Sequence, residues 1–371
     1  MLTFAWISGL VLACLYARNI RSYVRLNRRK EEKLSVVDLP HVTVIIPFRN
    51  EASNLQERIR SLENQNYPKN RYQVILINDH SSDDFQKHVN NLKENFSFLS
   101  LPEKSEGKIE ALNAAINQTD TPWIICSDAD CTAGENWLLS FFEREIPAHV
   151  VACCGPVRIA SAGSPLQELQ FLDMIGVMGM TSAGHRGLDF AMANGANLAF
   201  RRKSFYEVGG FEGSEKWSAA DDMWLISQFS ILHKGSVSFN DRVEAEVITN
   251  PELSWKGFFQ QRIRWAGKTS AYTNKNILYH IGLAFGFSVF IVLLGLLVLI
   301  DSSFLNPFLV FMICRSIIDF MYLTIMTKKY GQKIKRGSYL LVQCLHIIYI
   351  VGAGILAMRA KRYTWKDRIL S

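Results

Sequence analysis

The sequence predicts an α/β domain with a parallel β-sheet, framed by membrane helices. Between about residues 40 and 250, short β-branched runs alternate with amphipathic segments, a pattern typical of parallel β-α-β units. Polar and acidic residues follow the ends of these runs. Long uncharged segments lie near the N-terminus and beyond residue 280, and their length suits a lipid bilayer.

The first strand and helix are predicted from an apolar run and a capping motif. Residues 42–46 form the run, which Pro47 closes. Ser53 and Gln56 have the spacing of a capping box. We therefore expect Ser53 to be the N-cap of the first helix, and we expect this helix to reach Glu63 or Asn64 and to stop before Pro68.

The next elements are a strand over residues 74–77, a helix over 107–117 and a strand over 123–126. Asp128 and Asp130 follow this last strand. Alternation along an extended chain points both carboxylates the same way, and hard oxygen ligands suit a divalent cation that neutralises a phosphate. A solvated acidic loop is the alternative interpretation of this pair.

Charged and polar residues follow four consecutive units of the predicted sheet. They lie at residues 47–51, 78–83, 107–108 and 128–130. Because loops leave the carboxyl ends of parallel strands at one edge of a sheet, these residues are expected to line one crevice. Carboxylates for a metal and a lysine at a helix N-terminus suit a nucleoside diphosphate. Neither a P-loop nor a dinucleotide fingerprint is present in the sequence.

A series of motifs resembles the family-2 inverting glycosyltransferases, whose catalytic domain has the Rossmann-like GT-A fold. The motifs occur in the order typical of that family and cover about residues 40–270: 44–51, 77–83, 107–113, 128–130, 194–201, 209–211, 220–225 and Gln-x-x-Arg-Trp at 261–265. Two positions depart from the pattern, Asn78 where the family often has Asp and Asp221 where Glu is usual. Both departures keep a polar group in place.

The resemblance implies a nucleotide-sugar donor, with uridine diphosphate as the expected nucleotide. Glu51 and Asp79 would bind the base and the ribose, and Lys108 would face the uridine or the diphosphate. Asp130 would ligate Mg²⁺ or Mn²⁺ between the two phosphates, with Asp128 on the metal or the ribose.

Asp222 is the candidate general base, which would take the proton from the attacking acceptor hydroxyl. Its neighbour Asp221 is assigned to the acceptor or diphosphate site. Acidic residues are also favourable at a helix N-terminus, and Ser218 could cap such a helix. Both roles are compatible.

The resemblance also implies an acceptor or diphosphate site formed by Asn194, Gly195, Gln261, Arg264 and Trp265. A guanidinium suits phosphate, and an aromatic face suits a sugar ring or a lipid headgroup. The stretch around Gln261 is also typical of an amphipathic helix on a membrane surface. The two interpretations can hold together.

Four segments are candidates for membrane residence. Residues 1–17 and 281–300 are uncharged, whereas 303–327 and 339–358 are weaker and could be buried amphipathic helices. Arg315 and Asp319 are four residues apart and are expected to pair away from lipid. Basic clusters follow the first, third and fourth segments: Arg18 to Lys33, Lys328 to Arg336, and Arg359 to Arg368.

The positive-inside rule places the central domain in the cytoplasm of a multi-pass protein of the cell (inner) membrane. The rule conflicts with itself at the C-terminus, because four crossings would put the last basic cluster on the opposite side. The expected boundaries are a membrane helix at 1–17, a basic linker at 18–39, the catalytic domain at 40–250, an interfacial helix at 251–276, about three membrane segments at 277–358 and a basic tail at 359–371. Residues 166–184, rich in Met and Gly, are either a core helix or an interfacial segment beside a lipid route.

The sequence thus predicts a metal-dependent, hexosyltransferase-type enzyme that moves a sugar to a lipid or polyprenyl-linked acceptor. A processive polysaccharide synthase of the same family is the alternative, and a non-catalytic scaffold or transporter is a distant one. The net charge of +7 lies mostly in the juxtamembrane clusters, which favours anionic lipid over nucleic acid. Seven cysteines without a C-x-x-C pair fit a reduced compartment. The sugar, the acceptor, the metal and the oligomeric state stay open.

Overall fold

The computed structural model describes residues 1–28, 38–160, 163–214, 221–232, 235–267, 272, 274–359, 363–365 and 368–370. For Asp221, for residues 358–359 and for the two C-terminal strands, only the backbone is described. The chain has an α/β domain over the middle and long apolar helices at both ends.

The described residues contain twelve strands. They are β1 Val42–Phe48, β2 Tyr72–Asn78, β3 Phe96–Ser100, β4 Trp123–Cys126, β5 Cys131–Ala133, β6 Ala152–Cys154, β7 Val157–Ile159, β8 Leu198–Arg201, β9 Val237–Phe239, β10 Val247–Thr249, β11 Tyr363–Trp365 and β12 Arg368–Leu370. Seven form the main sheet in the order β3-β2-β1-β4-β8-β6-β9, in which β8 alone is antiparallel to its neighbours. The predicted parallel units are therefore present, with β3 and the antiparallel β8 added.

Strand β1 lies at the centre of the main sheet because its side chains are apolar on both faces. Val44 pairs with Val74 of β2 and with Ile125 of β4. Val42, Val44 and Ile46 pack into one core, and Ile45 packs into the core on the opposite face. The carboxyl ends of β1, β2 and β4 consequently lie side by side.

A second, three-stranded sheet has the order β5-β10-β7. In its antiparallel pair, Thr249 of β10 lies opposite Cys131 of β5. Since Cys131 directly follows the acidic pair at 128–130, this pairing holds β10 against the predicted metal loop.

Twelve α-helices lie in the described part of the chain: α1 Leu2–Asn27, α2 Ala52–Glu63, α3 Gln86–Val89, α4 Lys108–Asn117, α5 Trp137–Phe142, α6 Pro165–Ala183, α7 Arg202–Glu207, α8 Asp221–Leu232, α9 Trp255–Gly267, α10 Lys275–Val298, α11 Leu305–Lys329 and α12 Arg336–Arg359.

The predicted capping box at Ser53 and Gln56 is wrong. Helix α2 begins at Ala52, with Glu51 at the N-cap and no side-chain cap there. The carboxylate of Asp83 accepts the Ala52 N–H at 2.7 Å, so a residue from the loop after β2 supplies the cap. The end of the helix at Glu63 is as predicted.

Four described helices, α1, α10, α11 and α12, are long and apolar enough to cross a membrane. Helix α1 continues well past the predicted end at residue 17, because its later part packs Tyr23 and Leu26 into the core shared with α6, α10 and α11. The expected pair on α11 is present, with Arg315 Nε 3.3 Å from the Asp319 carboxylate.

Helix α6 lies between the α/β domain and the bundle of α1, α10 and α11. The Tyr322 hydroxyl donates to the Gly176 carbonyl at 2.7 Å, and a Cβ at Gly179 would lie 2.3 Å from that hydroxyl oxygen. Glycine here lets α11 approach closely. Met174 and Met178 are both buried and also line the cavity described below, which is compatible with both interpretations of residues 166–184.

Candidate active site

The loops that follow β1 and β2 are locked to each other. Asn50 and His80 both adopt a left-handed conformation, with φ of 52°, so each strand ends in a sharp turn. The Asn50 side chain accepts the Ser82 N–H at 2.8 Å, and the Asn50 N–H donates to the Ser81 hydroxyl at 2.9 Å. The interlock fixes the residues on either side of it.

Glu51 and Asp79 are placed by this interlock. Asp79 is buried, and its N–H donates to the Phe48 carbonyl at 2.9 Å. Arg49 donates to the Asp79 carbonyl at 3.0 Å. The Glu51 carboxylate accepts from the Asn54 amide at 2.6 Å. Both acidic residues line the same large cavity.

The acidic pair after β4 is held differently at each carboxylate. Lys108, at the start of α4, places Nζ 2.8 Å from Asp128 Oδ1. The Thr249 hydroxyl donates to Asp130 Oδ2 at 3.1 Å. Lys108 thus pairs with Asp128, and Asp130 accepts a hydrogen bond from Thr249.

A buried arginine lies behind the acidic pair. Arg58 of α2 is fully buried, and its guanidinium lies 5.2 Å from the Trp137 ring centroid. Within the described residues, none of its three nitrogens has a hydrogen-bond partner. Burial lowers the pKa of Arg58 to about 10, an effect that nearby Cys131, Asp128 and Asp130 oppose. Its positive charge stabilises the carboxylates from behind.

The donor set fits a divalent cation that is completed by a ligand. Among the described residues, no group of three or more His, Cys, Asp or Glu side chains could hold a metal ion. Asp130 and Asp128 offer two hard oxygen sites at most. Mg²⁺ commonly binds through one or two carboxylates, with substrate phosphates and water as its other ligands. The sequence-based preference for Asp130 as the metal ligand, with Asp128 on the metal or the ribose, stays a prediction.

Asp222, in the first turn of α8, is fixed by backbone donors. Its carboxylate accepts the Gly195 N–H at 2.9 Å and the Met223 N–H at 2.8 Å. A Cβ at Gly195 would lie 3.2 Å from Lys108 Nζ, so glycine lets this loop pass between Asp222 and Lys108. The side chain of Asp221 and the proposed cap Ser218 lie outside the described residues.

The loop at 194–197 is rigid. The Asn194 side chain accepts the Ala196 N–H at 3.0 Å. Asn197, which is fully buried, donates to the carbonyls of Pro156 and Ala245, both at 2.8 Å. Asn194 and Gly195 therefore line the cavity from a fixed backbone.

Helix α9 brings Gln261, Arg264 and Trp265 to the same cavity. Between them, Arg262 is buried, also lines the cavity, and has its guanidinium 4.2 Å from the Trp265 ring centroid. A guanidinium over an aromatic face is attractive, so Arg262 supports Trp265 from behind. Gln261 Oε1 is buried and has no hydrogen-bond partner among the described residues.

Asp173 of α6 connects this helix with α9 and α12. Its carboxylate lies 3.1 Å from Arg262 of α9, and it accepts from the Tyr349 hydroxyl of α12 at 2.6 Å. His346 Nε2 lies 3.4 Å away. Burial alone would raise the pKa of Asp173, but Arg262, His346 and Tyr349 outweigh it and lower the pKa. Asp173 is thus a carboxylate that anchors α9 and α12.

Replacing Asp173 with Ala should destabilise the protein by about 3 kcal/mol, because Arg262 would lose its buried partner. Tyr349→Phe, which removes one hydrogen bond to the same carboxylate, should cost only about 1 kcal/mol. Thermal unfolding of the detergent-purified proteins measures both. Equal losses for the two variants would contradict the role given to Asp173.

One cavity of about 1330 Å³ unites these groups. At one end it is lined by the charged residues after β1, β2 and β4, and it continues to residues of all four long apolar helices, including Tyr16, Phe285, Arg315 and Gln343. The structure therefore brings the sequence-predicted site residues together, except Asp221, whose side chain is not described. It also connects them to the membrane helices.

Arg58 and Asp173 were missed by the sequence reasoning. A signal for Arg58 was available, since it lies on the apolar face of α2, three residues after Leu55 and four before Leu62. For Asp173 the signal was an acid in the apolar middle of α6, beyond Glu168 in the first turn. Its partners are far away in sequence and could not be paired with it in advance.

Comparisons with known proteins agree with this architecture. Residues 43–209 match the model of the family described as Glycosyl transferase family 2. YdaM of Bacillus subtilis (strain 168), described as a probable glycosyltransferase, is 28% identical over 280 residues, covering 71% of this chain and 64% of YdaM. Poly-beta-1,6-N-acetyl-D-glucosamine synthase of Staphylococcus aureus is 23% identical over 252 residues, covering 66% and 58%. The chain thus spans less than two thirds of the length of these relatives.

A solved structure has a similar fold over almost the whole chain. The mannosyltransferase PcManGT from Pyrobaculum calidifontis, in complex with GDP-Man and Mn²⁺, aligns with a TM-score of 0.57 and 16% identity, covering 97% of this chain and 98% of its own. The mixed sheet and the family match are both typical of a GT-A glycosyltransferase domain. Residues 43–209 are therefore similar to a glycosyltransferase family 2 domain, and the chain has a mixed α/β fold like that of GT-A glycosyltransferases.

Proposed function

We propose that this protein is a membrane-bound inverting glycosyltransferase that moves one sugar from a nucleotide-sugar donor to a lipid or polyprenyl-linked acceptor. The observation that carries the proposal is the single cavity, which joins a charged pocket at the sheet edge to the apolar helices. A water-soluble donor and a membrane-bound acceptor can meet in such a space.

The charged end of the cavity suits the donor. Glu51 and Asp79 are positioned for the base and ribose, and Lys108 at the N-terminus of α4 for the diphosphate. Uridine diphosphate is the proposed nucleotide. Asp130, with Asp128, would hold Mg²⁺ or Mn²⁺. That ion would stabilise the negative charge on the departing diphosphate.

Asp222 is the proposed general base. Its two backbone hydrogen bonds fix the carboxylate at the cavity wall beside Gly195. A carboxylate held there can accept the acceptor's hydroxyl proton as that oxygen attacks the anomeric carbon. Attack opposite the leaving diphosphate inverts the configuration at that carbon.

The acceptor is proposed to reach Asp222 from the membrane end. Trp265, backed by Arg262, offers an aromatic face to a sugar or headgroup, and Arg264 offers a guanidinium to a phosphate. The basic residues of α1 that follow its apolar part support a cytoplasmic catalytic domain, by the positive-inside rule. Transfer would then occur at the cytoplasmic leaflet.

Transfer of label into extracted lipid tests this function. The purified protein is reconstituted with a membrane lipid extract, given Mn²⁺, and incubated with radiolabelled nucleotide sugars one at a time. We expect one donor to label one lipid by a single sugar. A ladder of lengthening products would instead establish the processive synthase, which the resemblance to poly-N-acetylglucosamine synthase keeps as the second candidate. No transfer and no donor binding would contradict the enzyme and favour a scaffold.

A further inference from the structure

Helix α12 differs from the other three long apolar helices in where its ends lie. The C-terminal end of α11 is on the side of the α/β domain, because Lys329 pairs with Asp241 of that domain. The chain then enters α12 on the same side, with Lys335 Nζ 3.5 Å from Glu168 of α6. After α12, strand β11 lies beside α9. Both ends of α12 are therefore on the catalytic side.

The course of α12 runs across the bundle and not along it. Gln343 donates to the Asp319 carboxylate at 2.6 Å, and Gly354 packs against the ring of Phe285. Arg315 joins these two places, since it bonds both Asp319 at 3.3 Å and the carbonyl just before Phe285 at 3.0 Å. Gln343 and Gly354 are about 16 Å apart along α12 at 1.5 Å per residue. Because both contacts lie beside Arg315, at the same height along the bundle axis, α12 runs across that axis.

Asp319 and Phe285, which α12 contacts, lie at the edge of the bundle's lipid-facing part, here called the apolar belt. Exposed apolar side chains on α11 extend from Leu305 to Met321, which is about 24 Å of helix at 1.5 Å per residue and close to the thickness of a hydrocarbon core, about 30 Å. Beyond Met321, α11 packs on α6 through Tyr322, Leu323 and Met326. The contacts of α12 with Asp319 and Phe285 therefore lie at the catalytic-side boundary of the belt.

The two faces of α12 have different surroundings. Leu341, Ile348 and Ile355 are exposed at every second turn, on one stripe. The opposite stripe, which includes His346 and Ala353, lines the cavity. One face of α12 is thus unpartnered and apolar while the other closes the active-site cavity.

We infer that α12 lies in the plane of the membrane, with the Leu341–Ile348–Ile355 stripe docked on the hydrocarbon of the catalytic-side leaflet, and that only α1, α10 and α11 cross the bilayer. The basic residues on both sides of α12 then lie on one side, as the positive-inside rule requires. Three crossings remove the conflict that four crossings create. Helix α12 forms the wall between the cavity and the lipid.

Depth measurements by spin labelling test the orientation of α12. In protein lacking the unburied cysteines (Cys14→Ser, Cys314→Ser, Cys344→Ser), nitroxides are placed at Leu341→Cys, Ile348→Cys and Ile355→Cys, and power saturation with oxygen and a nickel chelate gives their depth in reconstituted bilayers. The matched controls are Leu305→Cys, Ile313→Cys and Met321→Cys on α11, also exposed. We expect equal, shallow depths on α12 and a deep centre with shallow ends on α11. A deep centre on α12 as well would overturn the inference.

Sidedness provides a second readout that needs no activity. A membrane-impermeant maleimide is applied to intact cells and to inverted vesicles that contain Thr364→Cys, after α12. Lys104→Cys marks the catalytic side, and Ser302→Cys marks the turn between α10 and α11. We expect Thr364→Cys to react from the same side as Lys104→Cys, with Ser302→Cys reacting from the other. Reaction of Thr364→Cys together with Ser302→Cys would show a fourth crossing.

Discussion

Replacing Asp222 with Asn is expected to lower kcat by about 100- to 10,000-fold, the range that loss of a general base typically causes. The carboxylate faces the cavity and is the group proposed to accept the acceptor proton. The measurement is single-turnover transfer to the lipid acceptor with the donor at saturation. Donor affinity should stay within a few fold of the wild type, because the base contacts only the acceptor.

The Asn side chain also brings an amide N–H₂ toward the N–H groups of Gly195 and Met223, which now donate to the carboxylate. Donor binding by calorimetry therefore reports whether the loop at 194–197 has moved. Asp120→Asn, an exposed aspartate before β4, is the matched control and should transfer sugar at the wild-type rate. An Asp222→Asn variant that binds the donor and transfers at the wild-type rate would remove Asp222 from the mechanism.

Replacing Asp130 with Ala should weaken donor binding at least about 100-fold, because a metal contact to phosphate contributes several kcal/mol. The sharper signature is loss of metal dependence. Chelation of the divalent ion should reduce the wild-type affinity to the level of the variant, and it should leave the variant unchanged. Calorimetric titration of the nucleotide sugar with and without Mn²⁺ measures this.

Thr249→Val should weaken donor binding less than Asp130→Ala does. It removes only the hydroxyl that orients Asp130, so affinity should fall about 10-fold, as for other partners that orient a metal ligand. Asp120→Ala, which alters a remote exposed carboxylate, should have no effect. Wild-type, metal-dependent affinity in Asp130→Ala would show that the ion, if required, is held elsewhere.

The strands near the site were predictable because each signal is local. The runs that became β1, β2 and β4 are apolar and β-branched, and each ends in polar residues. The start of α2 was not predictable, since its cap comes from Asp83 in another loop. Likewise β8 joins the sheet in antiparallel orientation, whereas the alternation of strands and helices predicts only parallel neighbours.

The candidate site was predictable as a set of motifs but not as a set of contacts. The motifs placed Lys108 near the uridine or the diphosphate, and the structure shows that it also pairs with Asp128. The support of Trp265 by Arg262 and Asp173 links α9 to α6. Such links depend on how helices pack, which hydrophobic periodicity does not specify.

The membrane part shows the same limit. Length and apolarity make α12 a candidate membrane span. Neither property shows whether the two ends of a helix lie on the same side of the membrane. The basic clusters did carry that information, and the contacts at Lys335 and β11 agree with it.

The most direct test of a lipid-directed glycosyltransferase is a comparison of lipid masses in cells. Lipids are extracted from cells that express the wild-type protein and from cells that express Asp222→Asn at equal levels, and both extracts are analysed by mass spectrometry. We predict a lipid in the wild-type extract that is heavier than its precursor by one sugar residue, and accumulation of the precursor with Asp222→Asn. Identical lipid profiles, together with soluble polysaccharide made only by the wild type, would contradict the lipid acceptor.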